Sequence, residues 1–187
     1  MRHFAVFLRG VNVNGTRMKM DELKEAFRKM GYDHPKTLLA SGNVVVSSNE
    51  AAMTLLDHKM KIEMGLSLHF GYEAYVIVKS LEEINAIIEE SSLHQVPEGY
   101  HHYLLLSNEE TLGETLHTMF DSCDHATMEQ FIVATSGLYW IIPKGQTLGS
   151  DFGEKVLGNK SFKSQLTSRT MNTIVKVQKA LTIKDEA

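Results

Sequence analysis

The sequence predicts an α+β fold built from two ferredoxin-like (βαββαβ-type) half-domains, with antiparallel sheets, helices on one face, and one compact body. Three observations carry this. The first 79 residues read as strand, helix, strand, strand, helix, strand, the ferredoxin-like order. The theme then recurs after the turn Val96-Pro97-Glu98-Gly99. No low-complexity segment or long linker interrupts the 187 residues, a length that suits one domain or two small ones sharing a core. Residues 1–79 are the N-terminal half, and residues 80–187 supply a linker helix and the C-terminal half. Two halves of one topology, without obvious sequence identity, suggest an old duplication.

His3 to Leu8 is the first strand, followed by a loop at Arg9 to Gly15 whose two glycines and two asparagines suit positive φ. Met20, Leu23, Phe27 and Met30 recur at helical spacing, and Gly31 stops that helix. Thr37 to Ala40 and Val44 to Val46 are short strands around the compact turn Ser41-Gly42-Asn43. Ala52, Leu56, Met60 and Met64 mark the apolar face of a second helix, closed by Gly65. Ala74 to Val78 is a fourth strand, and Ser80-Leu81-Glu82-Glu83 is a capping box opening a helix through Ile84, Ile87 and Ile88. In the second half His102 to Leu106 is a strand, and Ser107 to Glu110 opens a helix with Leu112, Leu116, Met119 and Phe120. Glu129 to Ala134 and Leu138 to Ile142 form a hairpin around Ser136-Gly137. A short helix near Asp151 to Leu157 precedes a final helix with Met171, Ile174, Val177 and Leu181 on its core side.

The net charge of −4 is laid out unevenly. Residues 80–143 hold 11 acidic groups and no Lys or Arg, whereas the flanking segments are mildly basic. An acidic middle turned away from an anionic ligand fits this layout, and so does a solvated surface without a partner. No apolar run reaches the ~20 residues of a membrane span, so no membrane is expected. The single cysteine, Cys123, excludes an internal disulfide and fits a reducing compartment, so the protein is placed in the cytoplasm.

Several chemistries find no support. Nine histidines occur without Cys-x-x-Cys or His-Glu-x-x-His spacing, and the neighbours His101 and His102 point to opposite faces of a strand. No metal and no cofactor is expected. Cys123 has only Asp124 and His125 beside it, and nearby acids raise a thiol pKa, so it reads as incidental. The Arg9–Gly15 loop matches neither phosphate-loop spacing. No strand is rich in the aromatics of an RNA-binding sheet, and nucleic acid ranks below a small anionic ligand as partner.

The stretch that remains is Thr167-Ser168-Arg169-Thr170-Met171-Asn172-Thr173-Ile174-Val175-Lys176. Thr167, Ser168 or Thr170 is its N-cap. Arg169, Asn172, Thr173 and Lys176 fall three or four residues apart on the polar side, where a helix N-terminus, an Arg and a Lys make an anion site. A capped, amphipathic surface helix explains the same pattern. If Arg169 and Lys176 meet an anion, removing one costs little stability, within about 0.5 kcal/mol; an Arg169 that staples the halves together instead costs about 1–3 kcal/mol per orphaned group when replaced by Ala.

Phe7-Leu8-Arg9-Gly10-Val11-Asn12-Val13-Asn14-Gly15, Ser41-Gly42-Asn43-Val44, Tyr139-Trp140 with Pro143-Lys144-Gly145, and Thr167 to Thr173 together resemble the bacterial "domain of unknown function 1697" family. The resemblance runs along almost the whole chain with the motifs in the family's order. It implies a duplicated ferredoxin-like α+β body and no established activity. This chain departs from the family pattern at Asn14, where Gly is usual, and at Thr170 and Met171, where Asn and Trp are usual; losing the Trp removes a stacking surface. Placed at strand ends on one side of a sheet, the motifs assemble one ligand site. Arg9, Asn12, Ser41, Asn43, Lys144, Arg169, Asn172 and Lys176 supply donors, Thr167 and Thr173 hydroxyls, and Gly10, Gly15 and Gly42 backbone approach. The set contains no His, Cys or carboxylate pair. Binding is therefore better supported than catalysis, and whether the protein is an enzyme stays open, as does its oligomeric state. The alternative is a nucleic-acid or protein interaction module in which the motif residues are structural.

Overall fold

The computed structural model describes residues 1–9, 18–39, 41–109, 111–125 and 128–185, with side chains to residue 183 in the last helix. The chain divides into two units, one of residues 1–84 with the segment from Val175 onward, the other Asn85–Ile174. Each unit holds one four-stranded sheet, and every strand pair is antiparallel.

In the first unit β1 (Arg2–Leu8), α1 (Met20–Lys29), β2 (Asp33–Leu38), β3 (Asn43–Ser48), α2 (Leu55–Phe70) and β4 (Val76–Ser80) give the sheet order β2-β3-β1-β4. Phe4, Val6 and Leu8 pair with Val46, Val44 and Val76 and face Leu23, Ala26, Phe27, Ile62 and Leu66 of the two helices. The alternate residues Ala5, Phe7, Val45 and Ile77 are buried as well. That is why β1 reads as a continuous apolar run: a strand covered on both faces has no polar side to alternate with. The edge strand β2 carries Pro35, tolerated because an edge has an unpaired side, and its register shifts between Asp33 and Lys36.

Helix α2 differs from its sequence reading in two ways. Its core-facing residues are Leu55, His58, Ile62 and Leu66, while Leu56, Met60 and Met64 lie exposed. The helix carries apolar residues on two opposite faces, so periodicity alone selected the wrong one. Gly65 does not end it. A Cβ there would run into the Met30 side chain at the end of α1, so this glycine permits close helix approach. The stop is Gly71, at φ +70°, and the start is a capping box between Thr54 and Asp57.

Helix α3 (Leu81–Ser91) starts at the expected box: the Ser80 N–H donates to Glu83 Oε2 at 2.8 Å and the Glu83 N–H to Ser80 Oγ at 3.2 Å. The second unit continues with β5 (Tyr100–Ser107), α4 (Leu112–Asp121), β6 (Gln130–Val133), β7 (Leu138–Pro143), α5 (Asp151–Leu157), a 3₁₀ turn at Lys160–Phe162, β8 (Leu166–Thr170) and α6 (Met171–Asp185). Its order, β6-β7-β5-β8, repeats that of the first sheet. Leu105, Trp140 and Ile142 face Leu112, Leu116, Phe152 and Val156 of α4 and α5. On the opposite face, the Tyr139 hydroxyl donates to the Ile87 carbonyl of α3 at 3.0 Å. Buried Met171, Ile174, Val177 and Leu181 line α6 as their spacing predicts.

Strand β8 corrects the reading of Thr167–Thr170 as a helix mouth. These residues pair with β5, Arg169 opposite Leu104 and Thr167 opposite Leu106, and the helix begins only at Met171. Ser and Thr favour N-caps, which drew the assignment. Thr is equally at home in a strand, and a polar sequence suits an edge position.

Candidate functional site

Thr167 and Arg169 lie on the same face of β8, one pleat apart. Register places them opposite Leu106 and Leu104, on the sheet face that α4 and α5 leave uncovered. Arg169 is only 8 % exposed. Its Nη1 donates to Thr167 Oγ1 at 2.9 Å and to the Ser168 carbonyl at 2.7 Å. Burial lowers its pKa to about 10, which still leaves the guanidinium charged at neutral pH. Thr173, in the first turn of α6, is buried and shares a hydrogen bond with the Thr170 hydroxyl at 3.1 Å, closing the strand-to-helix corner. Asn172 is exposed. Lys144 is exposed too, in a turn after β7 where Gly145 holds φ +85° and the Lys144 N–H donates to the Gly99 carbonyl at 2.9 Å. Because β7 and β8 flank β5 and run the same way, Lys144 and Asn172 stand at one end of the second sheet.

Within the first unit Arg9, Ser41, Gly42 and Asn43 gather at one end of its sheet. Asn43 is fully buried, and its Nδ2 donates to the Leu38 carbonyl at 2.8 Å and to Ser41 Oγ at 2.9 Å. Gly42 sits at φ +70°, and its carbonyl accepts from the Leu8 N–H at 2.7 Å. Together they tie the turn before β3 to the end of β1. Half-buried Arg9 follows directly, its N–H donating to the Tyr75 carbonyl at 3.0 Å, and burial lowers the pKa of its side chain. Lys176 is exposed on α6. Gly10, Asn12 and Gly15 lie outside the described residues.

Two polar groupings escaped the sequence reading. His94 Nδ1 and His102 Nε2 stand 3.2 Å apart, one ring donating to the other, with Tyr139 packed edge-on against His94 at 4.5 Å. Burial, with the neighbouring His94, lowers the His102 pKa to about 4. Glu90 receives the Thr135 and Ser136 N–H groups at 3.0 and 2.9 Å and the Tyr139 hydroxyl at 3.1 Å, so it anchors the β6–β7 hairpin. Nothing in local spacing announces either group, because His94 and His102 are joined across a turn and Glu90 reaches 45 residues along the chain. At Cys123 burial is the main cause that raises the thiol pKa, outweighing the lowering by the nearby Lys155 ammonium. No group of three or more His, Cys, Asp or Glu able to hold a metal ion occurs among the described residues. No helix among them is long and apolar enough to cross a membrane.

No curated protein matches the chain. Among solved structures it is similar to the conserved bacterial protein SP0830 from Streptococcus pneumoniae, at 19% identity and a TM-score of 0.75, over 97% of this chain and 99% of that one. At that identity the likeness concerns the fold. A family model described as "Protein of unknown function (DUF1697)" matches residues 1–139, which include the Ser41–Asn43 turn and stop short of Lys144 and β8. The chain therefore belongs to the DUF1697 family of proteins of unknown function.

Proposed function

We propose that this protein is a cytosolic binding protein for a small anionic ligand, a phosphorylated metabolite or nucleotide, with Arg169 as its charged anchor. The supporting observation is the setting of that guanidinium: charged, 8 % exposed, and oriented through Nη1 by Thr167 and Ser168. A cation held where water is scarce attracts an anion more strongly than one on the surface. A planar fork already fixed in orientation loses less entropy on binding phosphate than a lysine. Thr167 and Thr173 add hydroxyl donors, and Asn172 and Lys144 polar reach. No general acid–base pair accompanies them, so binding is proposed without a reaction. The matching strand orders of the two sheets also support descent by duplication.

A second reading has its own observation. The Asn43 side chain donates to the Leu38 carbonyl and Ser41 Oγ, which gives the Ser41–Asn43 motif a structural role in its turn. If Arg169 is structural too, the protein is an interaction module for nucleic acid or another protein.

Thermal melting separates them, using wild type and Arg169→Lys with inorganic phosphate, nucleotides and sugar phosphates. Wild type is expected to melt higher with at least one of these, and Arg169→Lys to lose most of that shift. An absent shift with all of them, together with salt-dependent binding to polynucleotide, overturns the proposal.

A further inference from the structure

Each unit turns from the last strand of its sheet directly into a helix, and strand register relates the two corners residue by residue. In the first unit Phe4 of β1 pairs with Ser80, the last residue of β4, and α3 begins at Leu81. In the second Tyr103 of β5 pairs with Thr170, the last residue of β8, and α6 begins at Met171. Ser80 thus corresponds to Thr170, Lys79 to Arg169, Glu83 to Thr173 and Ile84 to Ile174, the last two both fully buried. Phe4 packs with α1 and α2, and Tyr103 with α4 and α5, so alternation puts Lys79 and Arg169 on the opposite face of each sheet.

The first corner is closed by its own carboxylate. Glu83 Oε1 accepts from Lys79 Nζ and Oε2 from the Ser80 N–H, each at 2.8 Å. In the second corner the first turn of α6 holds no acidic residue, and Thr173 stands in the place of Glu83. The two acceptors that orient Arg169 Nη1, Thr167 Oγ1 and the Ser168 carbonyl, are neutral and supply no counter-charge. The Thr170 and Thr173 hydroxyls share one hydrogen bond at 3.1 Å, and the accepting hydroxyl keeps its own proton to donate.

We propose that the oxyanion group of the ligand binds at the mouth of α6, in the place that the Glu83 carboxylate takes in the first unit, and that Thr173 is the specificity-determining residue that keeps this place open. This placement rests on the reading of Arg169 as the anchor of an anion. The first unit supplies the pattern: a strand-end cation, the N–H of the next residue and the first helical turn together hold a carboxylate. A carboxylate built into the chain at position 173 competes for those donors at an effective concentration that free ligand does not reach. It also completes a capping box with Thr170, as Glu83 does with Ser80. Glu83 is in turn the group that shuts the equivalent corner around Lys79.

Thermal melting with inorganic phosphate and with a nucleoside monophosphate, on wild type, Arg169→Lys, Thr173→Glu and Glu83→Thr, tests the placement. Thr173→Glu should need roughly tenfold more of either anion to reach the wild-type shift, the loss expected when one charge-assisted contact is taken by an internal competitor. Glu83→Thr should melt below wild type without anion and gain more from phosphate than wild type does, because the corner at Lys79 is then open as well. A Thr173→Glu that responds as wild type does, while Arg169→Lys responds less, overturns the placement and leaves the reading of Arg169 standing. If Thr173→Glu does not fold, Glu83→Thr decides: a phosphate gain no larger than that of wild type overturns the placement. A wild type that shifts with neither anion overturns the placement and the reading of Arg169 together.

Discussion

At Arg169, burial and charge pull in opposite directions, and hydrogen bonding reconciles them. A surface helix position would make the residue nearly dispensable for stability. Its position on β8 makes it costly to remove, since Thr167 Oγ1 and the Ser168 carbonyl lose their donor. Arg169→Ala is therefore expected to lower stability by about 1–3 kcal/mol per orphaned group, read as a shift of the urea midpoint. An unshifted midpoint would mean that water replaces the guanidinium at no cost. His102 makes the complementary case in pH. Its folded pKa of about 4 lies below the 6.5 expected when unfolded. The unfolded chain therefore takes up the proton first, and stability present above pH 6.5 is lost as pH falls towards 4. His94 and His58, both lowered mainly by burial, act in the same direction. His102→Gln should flatten the fall in urea midpoint over that window. A slope identical to wild type would show that His102 titrates normally.

At the scale of elements, what decided legibility was whether an element's partners were local. The Ser80–Glu83 cap was readable because its donors and acceptors sit within one turn, whereas α4 starts at Leu112 after Thr111 with no side-chain cap, not at Ser107. Strand β1 was readable from its unbroken apolar run. Strand β8 was not, because its identity depends on pairing with β5, some sixty residues earlier. Nor was the buried face of α2, since Leu56, Met60 and Met64 supply the expected period while His58 and Ile62 occupy the core. Gly65 shows how a glycine misleads: it looked like a stop and instead admits Met30. Gly65→Ala should destabilise despite the helix propensity it adds. Combining it with Met30→Ala should recover part of the loss in a melting experiment. A single Gly65→Ala at or above wild-type stability would show that Met30 simply swings aside.

For the whole molecule, the class of fold was legible because two sheets of one strand order leave their signature twice in the order of segments. The candidate site was legible only in part. Thr167, Arg169 and Asn43 stood out in the sequence as polar residues, but their roles depend on burial, which spacing does not reveal. Arg169 emerged as an interior cation on a strand, and Asn43 as the clasp of a turn. The proposed role of the buried Arg169 guanidinium is to hold an anion. Calorimetric titration of wild type with inorganic phosphate and with a nucleoside monophosphate at low ionic strength addresses it most directly. Saturable heat at one site per chain is expected for at least one of them, weakened at least tenfold in Arg169→Lys, the effect of losing about 1.4 kcal/mol. Absence of saturable heat with both, or undiminished affinity in Arg169→Lys, would contradict it.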